Sequence, residues 1–456
     1  MRFYDFFRWG GLILITFAIC GCTAVTRELQ YTANTSTHNS LSKDPANPAL
    51  DKPQTVDLSL YKLPHHRSDV SIAVAASGGG YRAANLVLGV LMGLEKIKDK
   101  NTHHNLLQDV NYYSTVSGGG FGVGYYIDQL NHYLLNHPGQ ASHFSLNNTV
   151  NLMLSDDQED RIPSNPLRAD LSDMLFFGDE RGQLITQHFD QTLLASPHGG
   201  LRLSDIFIPK NSRKTAQLPI WVTNATVYQN MAIFPFTPDV LARYQATNYF
   251  HNKTLMAISG DVHDTCYACE IPISIGLTAS ASVPIAIPPT TLMSKGCVSE
   301  SDDCYIHLYD GGLADNLGVY TAMSLLYQDK SPTKVLIIID AYTGDVAPYT
   351  GEMALPNNVS LLLRIMTTIT DANHENIQTK IPFIAHDILC RRGARQVMVI
   401  HLSLRDFPKA LKVHTGLNMD LSSQKILIAV GEKLVKAHPE LKKLLDHSAQ
   451  LMDDKC

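Results

Sequence analysis

Residues 77–84, SGGGYRAA, and residues 114–120, STVSGGG, determine the fold that this sequence predicts. In each stretch an apolar run ends in glycines and a segment of helical character follows, which indicates strand, turn and helix. Glycines let the backbone turn without Cβ clashes and leave amide groups exposed at the start of a helix, where the dipole favours negative charge. The first stretch therefore predicts an anion-binding turn. In the second, Ser117 lies at the bend between strand and helix, where a serine points outward.

A third motif lies far downstream, in residues 305–316, YIHLYDGGLADN. Here a short apolar strand delivers Asp310 into another glycine turn. A glycine turn after a strand is also typical of nucleotide sites, and a serine between glycines is commonly a plain turn. The order of anion turn, bend serine and Asp-Gly-Gly is more specific than any of its parts.

These motifs resemble those of the patatin-like phospholipases, with features of the cytosolic phospholipase A2 branch. Residues 78–82 are similar to the family's oxyanion-hole motif, Ser117 to its Gly-x-Ser-x-Gly serine, and residues 310–312 to its Asp-Gly-Gly/Ala motif. Residues 279–289, ASASVPIAIPP, resemble a small-residue helix that ends in prolines before the aspartate strand. Two residues depart from the pattern: Thr115 and Ala83 stand where the family usually has glycine. Thr115 is β-branched and crowds a tight bend.

The resemblance implies a hydrolase with a serine and aspartate dyad, acting on acyl esters of phospholipids or lysophospholipids without metal or cofactor. Ser117 would be the nucleophile and Asp310 the base. Gly78, Gly79 and Gly80 would form the oxyanion hole, and Arg82 would hold a substrate phosphate or support the oxyanion turn. An aspartate ordinarily has a pKa of about 4, so it is a weak base unless burial raises that pKa. Most of the rate enhancement would then come from the oxyanion hole.

A serine, histidine and acid triad is the alternative mechanism. Asp340 ends a predicted strand and is a weaker candidate for the acid. Four histidines follow Asp310 in the order seen in α/β-hydrolases, namely His374, His386, His401 and His414. None carries a local signature.

Two alternative functions do not involve ester hydrolysis. The first glycine turn would suit a nucleotide, with Glu95 as the acidic residue expected about twenty positions on, although no Gly-Lys-Ser/Thr is present. A non-catalytic envelope lipoprotein could instead use the fold for lipid binding or assembly, an interpretation that rests on Thr115. The formal charge of −6 and the absence of long Lys/Arg runs argue against nucleic acid as a partner.

The wider pattern indicates an α/β fold. The chain has 456 residues, of which 45% are hydrophobic and 18% charged, as in ordinary globular proteins. Further strands are predicted at 218–227, 334–339 and 396–402, and helices at 317–327, 360–372 and 421–437. Their alternation predicts a mostly parallel central sheet sandwiched by helices, an α/β/α three-layer domain over residues 66–456.

The N-terminus resembles a bacterial lipoprotein signal. Residues 1–21 have two arginines and an apolar core too short to span a bilayer, which needs about twenty residues. Cys22 is the predicted lipidation site, and residues 22–65 are predicted to be a lipid anchor and polar tether; residues 56–63 fit equally well as an irregular arm packed on the domain. We therefore expect a membrane-anchored envelope protein, in the outer membrane if the host is Gram-negative, because Thr23 follows the cysteine.

Two features between the motifs stay open. Residues 156–163 and 196–200 are polar loops in an insertion that is either a lid or ordinary scaffold. Four cysteines are either two local disulfides, which an oxidising compartment favours, or a four-thiolate zinc site: Cys266, Cys269, Cys297 and Cys304.

Overall fold

The computed structural model describes most of the chain from residue 54 onward. The described residues are 54–64, 67–99, 104–155, 167, 181–194, 200–244, 246–248, 271–284, 286–294, 305–344, 358–408, 410–413, 416, 418–445 and 456. The predicted signal peptide, Cys22, residues 156–163 and 196–199, and the four clustered cysteines lie outside them. Within the described ranges, no helix is both long and apolar enough to cross a membrane.

A nine-stranded sheet forms the centre of the described part. Eight of the strands follow the order β5-β6-β7-β3-β2-β1-β8-β9, and β4 pairs with β3 beside this path. The strands are β1 (Val70–Ala76), β2 (Val110–Val116), β3 (Ile220–Val227), β4 (Ile233–Phe236), β5 (Ala246–Asn248), β6 (Thr290–Ser294), β7 (Tyr305–Asp310), β8 (Thr333–Asp340) and β9 (Gln396–Ser403).

Five consecutive strands, β3, β2, β1, β8 and the edge strand β9, run parallel to one another. β1 and β8 are largely apolar and almost fully buried, as parallel strands covered on both faces are. All five were predicted as strands from their apolar runs. The predicted α/β class with a mostly parallel central sheet is therefore confirmed.

Helices cover both faces of this sheet. The helices are α1 (Gly80–Lys96), α2 (Gly118–Asn136), α3 (Leu146–Ser155), α4 (Arg181–His188), α5 (Leu203–Ile206), α6 (Pro238–Arg243), α7 (Ile273–Ser280), α8 (Gly312–Asp315), α9 (Val319–Gln328), α10 (Asn358–Arg391), α11 (Leu421–Ala437) and α12 (Glu440–Lys443). One layer contains α1, α2, α7 and α11, which pack on one another and on the sheet, and the other contains α9 and α10.

Strands β4 to β7 form an antiparallel extension on the β3 side; of these, the sequence predicted only β7, the strand that ends at Asp310, and it did not predict the antiparallel pairing. β7 runs antiparallel to β3, with Asp310 opposite Ala225. On its other edge β3 is parallel to β2, and Val116 lies opposite Asn224. Ser117 and Asp310 therefore stand at the same height on either side of β3.

Two predicted helices differ from the structure. The helix expected at 360–372 is only the first part of α10, which continues through Pro382 to Arg391. The small-residue segment 279–289 is not a helix: α7 ends at Ser280, because the following prolines cannot donate helical hydrogen bonds.

The arm before β1 packs on the domain. Val56, Leu58 and Tyr61 are buried, and the Tyr61 hydroxyl donates to Asp239 Oδ1 at 2.9 Å. The Leu58 amide donates to Gln328 Oε1 at 3.1 Å. Residues 56–63 thus pack on the domain, as the interpretation of an irregular arm expected.

A disulfide joins Cys390, at the end of α10, to Cys456. Its S–S distance is 2.03 Å, and the bond closes a separation of 66 positions. The Cys456 amide also donates to the Arg395 carbonyl at 3.2 Å.

Candidate active site

Ser117 occupies a strained bend between β2 and α2. Its backbone has φ 49° and ψ −127°, in a region that non-glycine residues rarely adopt and that costs on the order of 1–3 kcal/mol. The Ser117 amide donates to Ser280 Oγ at 2.8 Å, and the Ser280 hydroxyl donates in turn to the Asn224 carbonyl at 2.6 Å. These two bonds tie the bend to α7 and β3, and so hold the strained conformation.

The structure shows why Thr115 is compatible with this bend. Thr115 is fully buried, and its Oγ1 accepts a hydrogen bond from the Trp221 indole at 2.9 Å. On the helix side of the bend, the backbone passes too close to other segments for any side chain. A Cβ added to Gly118 would lie 2.0 Å from the Gly80 carbonyl oxygen, and a Cβ added to Gly119 would lie 2.6 Å from the Ala76 and Ser77 carbonyl oxygens. Glycines after the serine therefore provide the close backbone approach that this bend requires, while Thr115 stays buried before it.

Asp310 ends β7 with its side chain buried beside the bend. Ser117 and Asp310 are 7% and 8% exposed. The Asp310 Oδ1 atom accepts the Gly312 amide at 2.8 Å, whereas Oδ2 is buried and accepts no well-formed hydrogen bond from the described residues. Burial raises the pKa of Asp310 to about 6, although the Gly312 amide, which donates to the carboxylate, and the nearby Ser117 hydroxyl both lower it. The two predicted catalytic side chains are thus brought together.

The triple-glycine turn lies directly against Ser117. A Cβ added to Gly78 would lie 3.4 Å from Ser117 Cβ, and one added to Gly118 would lie 2.5 Å from the Gly80 nitrogen. Gly79 and Gly80 have φ values of 137° and 55°, which explains the need for glycine. The Gly80 amide begins α1 and has no acceptor among the described residues.

Gly78 differs from its two neighbours. Its amide donates to the Asn316 carbonyl at 3.0 Å, so it does not point at Ser117 as an oxyanion donor in this conformation. The prediction that all three glycines supply donors is therefore corrected for Gly78, which instead fastens the turn to the segment after Asp310. A local glycine pattern could not reveal this long-range bond.

Arg82 folds back toward the same turn. It is buried on the first turn of α1, and a Cβ added to Gly79 would lie 3.8 Å from its guanidinium. Arg82 thus lies close to Gly79, which fits the predicted support of the oxyanion turn.

Two of the four candidate histidines, His374 and His401, pair with Asp340, the weaker acid candidate of the alternative triad, and no hydrogen bond among the described residues joins either ring to Ser117. His374 and His401 both approach Asp340 Oδ2 through Nε2, at 3.2 and 3.1 Å. His386 lies 3.7 Å from the Cys390 sulfur, and His414 is outside the described residues. The groups that act on Asp310 are Gly312 and Ser117, without a histidine.

Glu95, the acid of the nucleotide alternative, has a structural role. Its carboxylate accepts the amides of Leu146 and Asn147 at 3.0 and 2.7 Å, and so caps the N-terminus of α3. The contact leaves that alternative without its expected ribose ligand.

Several supporting polar residues escaped the sequence reasoning. Asn224 donates through Nδ2 to Ser114 Oγ at 2.9 Å and to the Thr115 carbonyl at 3.1 Å. Asp315 is buried with a pKa raised to about 6 by burial, yet its oxygens accept the amides of Leu317, Gly318 and Tyr320, so it caps α9. Their only sequence signal is a polar residue near the end of an apolar strand or in a glycine turn.

Comparison with known proteins identifies distant structural neighbours. No family model matches the sequence, and no curated protein matches it. Human GIVD cytosolic phospholipase A2 in complex with methyl gamma-linolenyl fluorophosphonate and terbium chloride is similar with a TM-score of 0.35 and 11% identity, over 83% of this chain and 60% of that chain. A second structure of human GIVD cytosolic phospholipase A2 gives a TM-score of 0.35 and 10% identity, over 83% and 62%. The chain thus spans about three fifths of these neighbours' length.

Proposed function

We propose that this protein is a serine acyl hydrolase that cleaves acyl esters of phospholipids or lysophospholipids. The observation that supports the proposal most strongly is a spatial one. Ser117, in a strained bend, lies near the buried carboxyl of Asp310, and both are beside a glycine turn. The substrate class comes from the motif resemblance to patatin-like phospholipases.

In the first half-reaction, the Ser117 oxygen attacks the ester carbonyl carbon while Asp310 accepts the hydroxyl proton. The raised pKa of Asp310 makes it a better base than an ordinary aspartate. The negative oxygen of the tetrahedral intermediate is stabilised by backbone amides of the glycine turn, for which Gly79 and Gly80 are the candidates. The carbon–oxygen bond to the alcohol then breaks, and the alcohol leaves with the proton from Asp310.

In the second half-reaction, water attacks the acyl-enzyme. Asp310 accepts a proton from the water, the negative oxygen again occupies the amide site, and the bond to Ser117 breaks. The serine oxygen recovers the proton and the fatty acid is released. Losing one oxyanion donor typically costs about 10²–10³ in kcat.

A fluorophosphonate probe tests the nucleophile. We expect wild-type protein to be labelled, Ser117→Ala to be unlabelled, and Ser59→Ala, which changes an exposed serine in the arm, to label as wild type. Mass spectrometry of phospholipids and lysophospholipids incubated with the same three proteins identifies the ester cleaved. Labelling that persists in Ser117→Ala would exclude Ser117 as the nucleophile, whereas a lipid profile that the wild-type protein leaves unchanged would support the non-catalytic lipid-binding alternative.

We also propose that the enzyme is anchored in the cell envelope through a lipid on Cys22. The support is the N-terminal sequence pattern. Metabolic labelling with a fatty-acid analogue should mark the wild type and not Cys22→Ala, and equal labelling of both would exclude this anchor.

A further inference from the structure

We propose that Asn316 is a further catalytic residue, whose side-chain amide donates a hydrogen bond to the negative oxygen that forms when the ester is attacked. The inference rests on the proposed hydrolase function and deepens it. Asn316 directly follows α8, shortly after Asp310 in the chain, and is 8% exposed.

The Asn316 side chain reaches the space beside both reactive groups. A Cβ added to Gly78 would lie 2.6 Å from Asn316 Oδ1 and 3.4 Å from Ser117 Cβ. A Cβ added to Gly312 would lie 2.8 Å from the same Oδ1 atom and 2.9 Å from Asp310 Oδ1. The end of this side chain therefore lies close to the nucleophile, to the base and to the glycine turn at once.

The fold itself does not use the Asn316 amide group. Within the described ranges its side chain makes no hydrogen bond, although little of the residue is exposed. Burying an amide without a partner costs free energy of folding, and for this reason most buried polar groups in proteins are paired. A substrate bound at Ser117 can supply the partner that the resting protein lacks.

The main chain of Asn316 removes one of the three donors that the glycine turn was predicted to supply. Its carbonyl accepts the Gly78 amide at 3.0 Å, so that amide is not available to the negative oxygen. The side-chain amide carries two N–H donors at the same place. Because no hydrogen bond to a described residue fixes its χ2 angle, a half-turn about the Cβ–Cγ bond brings Nδ2 to the position of Oδ1. The side chain of Asn316 thus replaces the donor that its own carbonyl occupies.

The kinetic test compares Asn316→Ala with Asn111→Ala. Asn111 is also buried, but it lies at the start of β2, away from Ser117, and its Oδ1 accepts the Ile72 amide at 2.8 Å. We expect Asn316→Ala to lower kcat/KM by about a hundredfold, mostly through kcat, because an oxyanion donor acts in the transition state. It should lower Tm by less than Asn111→Ala does, since it breaks no side-chain hydrogen bond and keeps the main-chain bond to Gly78.

Asn111→Ala should lower Tm and leave the kcat/KM of the folded protein unchanged. An unchanged kcat/KM in Asn316→Ala overturns the inference, and so does an equal loss of kcat/KM in the two variants. If Asn316→Ala does not fold, Asn316→Leu, which fills the space without a polar atom, gives the same comparison.

A crystal structure of the fluorophosphonate-treated wild type locates the bond directly. In this adduct the Ser117 oxygen is bonded to a tetrahedral phosphorus from which fluoride has left, and a phosphoryl oxygen stands for the negative oxygen of the intermediate. We expect that oxygen within about 3.2 Å of the Asn316 side-chain nitrogen, and a separation above about 3.5 Å overturns the role of Asn316 alone. A wild type that neither reacts with the probe nor hydrolyses esters refutes the proposed function, and the inference with it.

Discussion

Replacing Asp310 with asparagine is expected to stabilise the protein at neutral and alkaline pH while it abolishes hydrolysis. The Asp310 carboxyl is buried, and burial raises its pKa from 3.8 to about 6. Asparagine keeps an oxygen for the Gly312 amide but has no charge to desolvate. The variant therefore removes an unfavourable buried charge together with the proposed base.

The raised pKa sets both the sign and the size of this effect. The folded protein binds the Asp310 proton more tightly than the unfolded chain, so its contribution to stability is present at low pH and is lost as pH rises from about 4 to about 6. A shift of about 2 pKa units corresponds to about 3 kcal/mol. We expect Asp310→Asn to exceed the wild-type free energy of unfolding by about 3 kcal/mol at pH 8 and by less than about 1 kcal/mol at pH 4.

Urea unfolding followed by the fluorescence of the buried Trp221 measures this difference at the two pH values. Asp315→Asn is the matched control: its carboxyl also has a pKa raised to about 6, but both of its oxygens accept backbone amides. An asparagine there presents an NH₂ to amide donors, so this variant should be less stable than wild type. An Asp310→Asn variant that is less stable than wild type at pH 8, or equally stabilised at pH 8 and pH 4, would refute the reasoning.

Three further predictions concern the same site and its surroundings. The kcat/KM of the wild type should fall about tenfold between pH 7 and pH 5, because only the ionised Asp310, with its pKa of about 6, acts as a base; a pH–rate profile with a soluble ester checks this, and a flat profile down to pH 5 contradicts it. Ser280→Ala should cost about 1–3 kcal/mol by leaving the buried Ser117 amide without an acceptor, and should slow fluorophosphonate labelling; thermal unfolding and labelling rates measure both. Replacing Cys390 and Cys456 together by serine should lower the free energy of unfolding by about 2–4 kcal/mol without changing kcat, and an equal loss of kcat would place the disulfide in the catalytic machinery.

Local sequence patterns were sufficient to predict the parallel strands of the sheet. β1, β2 and β8 are apolar runs that end at glycine turns or at an aspartate, and the glycines that follow Ser117 signal the bend by themselves. The same reasoning located Ser117 and Asp310, which the structure brings into contact.

Long-range pairing was beyond that reasoning. The amide of Gly78 is occupied by Asn316, more than two hundred positions away, and Ser77 depends on Ala341 in the same way. The prediction ended this helix at residue 372, whereas α10 continues to Arg391 through Pro382, a residue that ordinarily disfavours a helix interior.

The antiparallel direction of β7 has a consequence for how such a protein can vary. Asp310 reaches its place from beyond the far edge of β3, and one backbone pairing, Ala225 with Asp310, sets its height. In the nearly two hundred positions between the two reactive side chains, the loops that join α2, β3, α7 and β7 can therefore lengthen, shorten or be exchanged while these elements keep the carboxyl where it is. Substrate preference can evolve in that interval independently of the machinery that breaks the ester.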